Sequence, residues 1–314
     1  MSLDSSGITW TDATMNSLYG CSVCSTGYRL CYVTNRVHRH SQNPRLNGDG
    51  RFNGLVNDGQ FTGELLFDPG HLYAVLKEKT PRRIFVNEFS DLLHEALPME
   101  VILEHVRVFR AALWHQFQVL TKREHRLLEL NDAILAEFGS LPKNFWMGVS
   151  VCSIPWKEMD RIEVLGATEA PIKWVSFEPW VSDLNRPLRQ AAPNLSEILR
   201  RNGIAWTVIG GESGARDETN LMTLDDARYL VEESKAAGCR VHFKQLGTAL
   251  AIRLGVYSTR GGGEHRAKGG NPDQWPEELR IREWPEVVTE PAVDTSGFRS
   301  AYDPKQWQRF KGAA

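Results

Sequence analysis

The segment Gly20-Cys21-Ser22-Val23-Cys24-Ser25-Thr26-Gly27-Tyr28-Arg29-Leu30-Cys31-Tyr32 places three of the five cysteines of the chain within eleven residues. Thiolates are soft ligands, and three of them on one short loop can share an iron-sulfur cluster, leaving the fourth iron open to a substrate or cofactor. Zinc is the competing metal, with Cys21, Cys24 and Cys31 completed to a tetrahedron by His38 or His40. The third reading is inert thiols. An odd, crowded set of cysteines does not resemble the paired framework of a secreted domain.

A second group of reactive side chains stands where apolar runs end: Asn87 and Glu88, Thr121 and Lys122, Ser150, Glu178, Glu212, and Lys244 with Gln245. Strand ends must turn polar as the chain meets solvent, so any one of them has a bland explanation. If the runs are parallel strands, however, their ends gather where active sites form. Asp91 and His94, three residues apart just beyond one run, suit proton transfer or ligand orientation, or else simply cap the next helix. Glu178 ends an apolar run before Pro179, where a lone carboxylate is costly unless paired or ligand-bound; Lys244 is its natural partner. Gly210-Gly211-Glu212-Ser213-Gly214 is a turn whose amides could cradle an anion, although it is neither a Walker loop nor a dinucleotide fingerprint.

The elements that must position these groups are visible as periodicity. Short β-branched and aromatic runs at 83–87, 115–121, 145–151, 172–178, 205–210 and 240–244 predict six strands. A seventh is expected to lead into Cys21, and Leu279-Arg280-Ile281 is a candidate eighth. Between them, Met99, Ile102, Leu103, Val106, Phe109 and Leu113 recur at helical spacing. Thr223 starts another helix, with Asp226 as capping-box partner and Gly238 as its stop. Strand and helix alternating over about 30 residues signal βαβ units and a parallel sheet. The fold class read from this is α/β, a full or partial TIM-type barrel of parallel strands forming one domain over 1–314. The stretch 255–275, with Gly261, Gly262, Gly263, Gly269 and Gly270, reads as a mobile loop carrying His265 and Lys268 as second-rank candidates, and 286–314 as a C-terminal extension.

Composition bounds the partners. The 314 residues are 41% hydrophobic and 24% charged, enough for a large core, and the formal charge of -2 gives no global basic field for nucleic acid. A local basic segment remains: Arg29, Arg36, Arg39, Arg45 and Arg51 with His38 and His40 face only Asp49. It would suit a phosphate or nucleotide, or form an ordinary solvated face. No apolar run reaches the ~20 residues of a membrane span and Met1 to Gly7 lacks a secretory pattern, so a cytoplasmic protein without membrane partners is expected. Ten tryptophans add stacking surface, but Trp146, Trp174 and Trp206 fall inside strands and read as core.

The cysteine loop, Phe85-Val86-Asn87 with Ser90-Asp91-Leu92, Val119-Leu120-Thr121-Lys122-Arg123, Gly148-Val149-Ser150-Val151, Ser176-Phe177-Glu178-Pro179, Ile209-Gly210-Gly211-Glu212-Ser213-Gly214 and Phe243-Lys244-Gln245 together resemble a phage-associated family of three-cysteine proteins related to radical S-adenosylmethionine (SAM) enzymes. The likeness runs in order from about Trp10 to Pro285. It implies a barrel, a [4Fe-4S] cluster on the cysteines, and reductive cleavage of SAM. Cys21, Cys31 and Tyr32 match the family loop, Tyr28 stands at its middle cysteine, and Cys24 is an additional thiol. The metal-ligand candidates are Cys21, Cys24 and Cys31, all three from their place on one short loop and Cys21 and Cys31 also by the resemblance. Asn87, Ser150, Gly210, Gly211, Lys122 and Tyr32 line the cofactor, and Glu178, Glu212, Lys244 and Asp91 are catalytic candidates. The leading expectation is therefore an iron-sulfur enzyme of radical SAM type acting on a small molecule, a nucleotide or nucleic acid. Its rivals are a cluster-free barrel enzyme using Glu178, Glu212 and Lys244, and a noncatalytic phage-associated binding protein.

Overall fold

A computed structural model describes residues 4–22, 24, 32–152, 156–213, 221–257 and 268–311. The chain groups into two compact units, the first formed by Met1–Met147, Thr168–Pro171 and Val287–Ala314, the second by Gly148–Ala167 and Ile172–Glu286.

The first unit opens with β1 (Asp4–Ser5), β2 (Ala13–Met15) and β3 (Leu18–Tyr19), then α1 (Tyr32–Ser41). A hairpin of β4 (Val56–Asn57) and β5 (Gln60–Phe61) follows, then β6 (Glu64–Phe67) and α2 (Pro69–Ala74). Next come β7 (Arg83–Val86), α3 (Met99–Ala111), β8 (Gln116–Thr121) and α4 (Leu127–Phe138). β2, β7 and β8 pair in parallel, with Thr14 opposite Phe85 and Phe85 opposite Gln118. Strands enclosed on both faces carry apolar side chains throughout, and Phe117 and Val119 of β8 and Ile84 and Val86 of β7 are all buried. α3 buries Val101, Ile102, Val106 and Phe109 at helical spacing, and Phe109 stacks on Phe117 at 4.1 Å.

β9 (Phe145–Ser150) is divided between the units. The second unit continues with α5 (Trp156–Gly166), β10 (Ile172–Trp180), α6 (Leu188–Ala191), α7 (Leu195–Arg201), β11 (Ile204–Gly211), α8 (Leu224–Ala236), β12 (Arg240–Gln245) and α9 (Thr248–Arg253). β10, β11 and β12 are parallel, pairing Trp174 with Trp206 and Val208 with His242. Trp174 and Trp206 are fully buried with ring centroids 5.1 Å apart, so these tryptophans are core, as their place within strands predicts. The Thr223 hydroxyl accepts from the Asp226 amide at 3.1 Å and starts α8. Asp226 does not close the expected capping box, because its carboxylate accepts instead from Trp180 Nε1 at 3.0 Å and the Leu188 amide at 3.2 Å. Val287–Ala314 ends in β13 (Gln308–Lys311), which pairs antiparallel with β6, itself antiparallel to β3.

The main sheet runs β1-β2-β7-β8-β9-β10-β11-β12, seven of its strands parallel, and among the described residues its two edge strands do not pair with each other. The closing strand pair of a full barrel, one of the two expected architectures, is therefore not found among the described residues. Two further expectations are corrected. The strand leading into Cys21 is β3 of the small antiparallel sheet, while the parallel strand is β2, five residues earlier in the chain. Leu279-Arg280-Ile281 does not add an eighth parallel strand: Glu277–Leu279 is a 3₁₀ turn, and Ile281 contributes only its carbonyl to the Phe243 amide. Of the 255–275 stretch, 258–267 with His265 lies outside the described residues; the Lys268 and Gly269 carbonyls accept from Gly247 and Leu246. Among the described residues no helix is long and apolar enough to cross a membrane.

Candidate functional site

Two clusters hold the candidates, one within each unit. In the first, β7 is followed directly by Asn87, which adopts a left-handed backbone (φ 67°) that asparagine tolerates better than most residues. Its buried Oδ1 accepts from the Ser17 and Leu18 amides at 3.0 and 2.9 Å, bending the chain between β2 and β3. The adjoining Gly20 amide donates to the Phe89 carbonyl at 3.1 Å, which fixes the start of the cysteine loop.

Arg123, 1% exposed, is the centre of this cluster. Its Nε donates to Glu95 Oε2 at 2.8 Å and its Nη1 to Asp91 Oδ2 at 3.2 Å. Its Nη2 reaches Ser22 Oγ at 3.0 Å, the Ser22 carbonyl at 3.3 Å and Cys21 Sγ at 3.7 Å. Burial opposes the guanidinium charge, but Asp91 and then the Cys21 and Cys24 sulfurs outweigh it and hold its pKa above the ordinary arginine value. Asp91 is fully engaged: it accepts from Thr121 Oγ1 at 2.8 Å and from the Lys122 amide at 3.1 Å as well. Its expected partner His94 turns elsewhere, with Nε2 2.8 Å from Ser22 Oγ. Burial, with Arg123 nearby, holds His94 down to about 4, so the ring is neutral near pH 7.

The four described thiols divide in two. Cys152 and Cys239 are buried and donate to the Glu178 and Ile204 carbonyls at 3.2 and 3.0 Å, and burial pushes Cys239 up to about 12. Cys21 and Cys24 are half-buried beside Arg123. Cys31 lies outside the described residues, as does the Tyr32 side chain, whose backbone opens α1. Among the described residues no group of three or more His, Cys, Asp and Glu is arranged around a metal position. His38 is exposed on α1, and the His40 ring packs against Phe52 and Phe89 at 5.2 and 5.4 Å. The basic segment is partly neutralised, Arg36 by Glu88 and Arg51 by Asp49, leaving Arg39 and Arg45 exposed.

In the second unit, Lys244 Nζ lies 2.9 Å from Glu178 Oε1, and Ser176 Oγ donates to Glu178 Oε2 at 3.3 Å. Glu178 lies near the end of β10 and Lys244 near the end of β12, so the pair spans the strand between them. Gly210 of β11 is what permits this: a Cβ there would stand 2.8 Å from Glu178 Oε1. Gly211 lies directly against the Leu246 carbonyl, and its own carbonyl accepts from Gln245 Nε2 at 2.8 Å. The two glycines thus serve close packing, and Gly214 lies outside the described residues. Glu212 is half-buried and its carbonyl accepts from Thr248. The buried Ser150 offers its carbonyl to Arg161 Nη1 at 2.7 Å, while Glu158 holds the Cys152 amide at 2.6 Å.

Arg123, Ser22 and Ser17 are the participants that sequence reasoning overlooks. For Arg123 a signal exists, because the buried alternation Val119, Thr121 continues to it past the half-buried Leu120 and Lys122.

The chain matches, over residues 5–284, the family described as "Protein of unknown function (DUF5131)", and it belongs to that family. No curated protein and no solved structure matches it.

Proposed function

We propose that this family member is an iron-sulfur enzyme of radical SAM type, with Cys21, Cys24 and Cys31 as cluster ligands and a small molecule or nucleotide as substrate. The observation that carries the reading is the contrast among the thiols. Two are sealed in the core on carbonyl acceptors, whereas Cys21 and Cys24 stand half-buried next to a buried guanidinium that offsets thiolate charge. The donor set is soft, and the buried carboxylate of the same cluster, Asp91, is committed to Thr121, Lys122 and Arg123 rather than offered as a hard ligand. A bound cluster would supply one-electron reduction of SAM. The part played by this chain is to hold the loop entrance rigid through Arg123, to keep charge balanced around it, and to keep His94 neutral.

Anaerobic purification and reconstitution with ferrous iron and sulfide tests the reading. Close to the roughly four irons of a cubane cluster per chain are expected, with Cys21→Ala, Cys24→Ala and Cys31→Ala each bleaching the product. A colourless, iron-free wild type rejects it. A second reading is favoured by the Glu178–Lys244 pair at 2.9 Å: acid-base chemistry at the end of β10 without a cluster. Activity or ligand binding lost in a folded Glu178→Gln variant of iron-free protein would select it.

A further inference from the structure

Ser22 sits between the two described thiols of the loop, and its hydrogen bonds can be counted. The Ala96 amide donates to His94 Nδ1 at 3.1 Å, so that nitrogen carries a lone pair and the proton of the neutral ring resides on Nε2. Nε2 faces Ser22 Oγ at 2.8 Å, and His94 is therefore the donor in that bond. Arg123 Nη2, which can only donate, reaches the same oxygen at 3.0 Å. A hydroxyl oxygen has two lone pairs, and both are filled. Its own proton is left to be given away, and no acceptor for it is found among the described residues. Ser22 is half-buried, and its backbone carbonyl is pinned by Arg123 at 3.3 Å, so the hydroxyl is held in place next to Cys21.

We propose that Ser22 is a hydrogen-bond donor to the sulfur-rich group held by the cysteine loop, with His94 and Arg123 as positioning residues that force its hydroxyl into the donor role. The inference rests on the cluster reading above and names the residue that tunes that site. A neutral hydroxyl that already accepts from two donors is a poor nucleophile and a good donor, which matches a thiolate or sulfide acceptor rather than an electrophilic substrate. A donor to cluster sulfur favours the more negative, reduced form and raises the reduction potential.

Wild type, Ser22→Ala and Ser22→Thr are to be reconstituted anaerobically with ferrous iron and sulfide, and their iron content and midpoint potentials measured by redox titration of the visible absorbance. Equal iron content is expected in all three, with Ser22→Ala shifted to a more negative potential and Ser22→Thr, which keeps the hydroxyl, at the wild-type value. Loss of iron from Ser22→Ala but not from Ser22→Thr equally supports a required hydroxyl. Equal potentials in wild type and Ser22→Ala overturn the assignment and leave the cluster reading standing. A wild type that takes up no iron overturns the cluster reading and this inference with it.

Discussion

Replacing Gly210 by alanine should uncouple Glu178 from Lys244 without removing either. Neighbouring strands lie about 4.8 Å apart, so side chains on β10 and β12 must bridge about 10 Å by meeting above the strand between them. Glu178 and Lys244 do so at 2.9 Å, and the new methyl would sit 2.8 Å from Glu178 Oε1 and 3.4 Å from Gln245 Cγ. The carboxylate is the far end of a flexible side chain and gives way more readily than backbone. Steric cost is therefore small, and the main loss is the bridge. With side chains 12% and 20% exposed, the pair lies between surface and buried cases, and its coupling should be about 1–2 kcal/mol. A double-mutant cycle of Glu178→Gln and Lys244→Met, read by urea denaturation, measures this coupling in the wild-type and Gly210→Ala backgrounds. It should fall below about 0.5 kcal/mol in the second. Equal coupling in both backgrounds would refute the geometry, because the carboxylate would then not pass over Gly210.

Arg123→Leu leaves the Asp91 carboxylate without its buried cation and should cost about 3 kcal/mol or more in thermal or chemical unfolding; Arg123→Lys, lacking the planar fork, should recover less than half. A loss within about 0.5 kcal/mol would show the guanidinium to be incidental. His105 is fully buried, and burial takes it from 6.5 to about 4 in the folded chain. The unfolded chain therefore binds its proton first: stability is complete above pH 6.5 and falls by about 1.4 kcal/mol per pH unit down to about pH 4. His105→Gln should lose that part of the slope, and identical pH profiles of variant and wild type would contradict the assignment. Gly148→Ala places a Cβ 2.3–2.6 Å from the Trp174 ring, which is buried and cannot yield, so a cost of about 3 kcal/mol is expected, partly relieved by Trp174→Phe. Full stability of Gly148→Ala would mean the ring does not rest there.

The parallel strands β7 through β12 were legible because each is a largely apolar or β-branched run closed by a polar residue, and their observed bounds fall within about two residues of the periodicity. β3, β6 and β13 were not. They are two to four residues long, and β13 pairs with residues more than 240 positions earlier, so no local pattern records them. The same distinction separates the site residues. Glu178 and Lys244 could be paired in advance, since a carboxylate and an ammonium at the ends of apolar runs of one sheet need one another. His94 misled: its sequence neighbour Asp91 was the expected partner, but its contact is Ser22, 72 residues earlier in the chain. Lys122 was favoured over Arg123 for its place directly after the strand, although the alternation of burial along β8, continued past Thr121, turns the latter inward.

Residues 87–95 bring these observations together. Asn87 holds the Ser17 and Leu18 amides, Phe89 accepts from the Gly20 amide and stacks on Tyr19 at 5.9 Å, and Glu88 pairs with Arg36 on α1. Asp91 and Glu95 fix Arg123, which grips Cys21 and Ser22, while His94 meets Ser22 directly. One short segment after β7 thus restrains the chain on both sides of the cysteines, before them through Ser17 to Gly20 and after them through α1. A loop intended only to cover the sheet would not need anchors at both ends. On the proposed cluster reading, such anchoring would reduce the conformational entropy lost as the thiols close on their ligand. Substitutions at Asn87, Glu88 or Asp91 should therefore weaken ligand retention by the thiols without contacting that ligand, and Glu88, whose partner Arg36 is 39% exposed, is the position where this separates most cleanly from loss of fold.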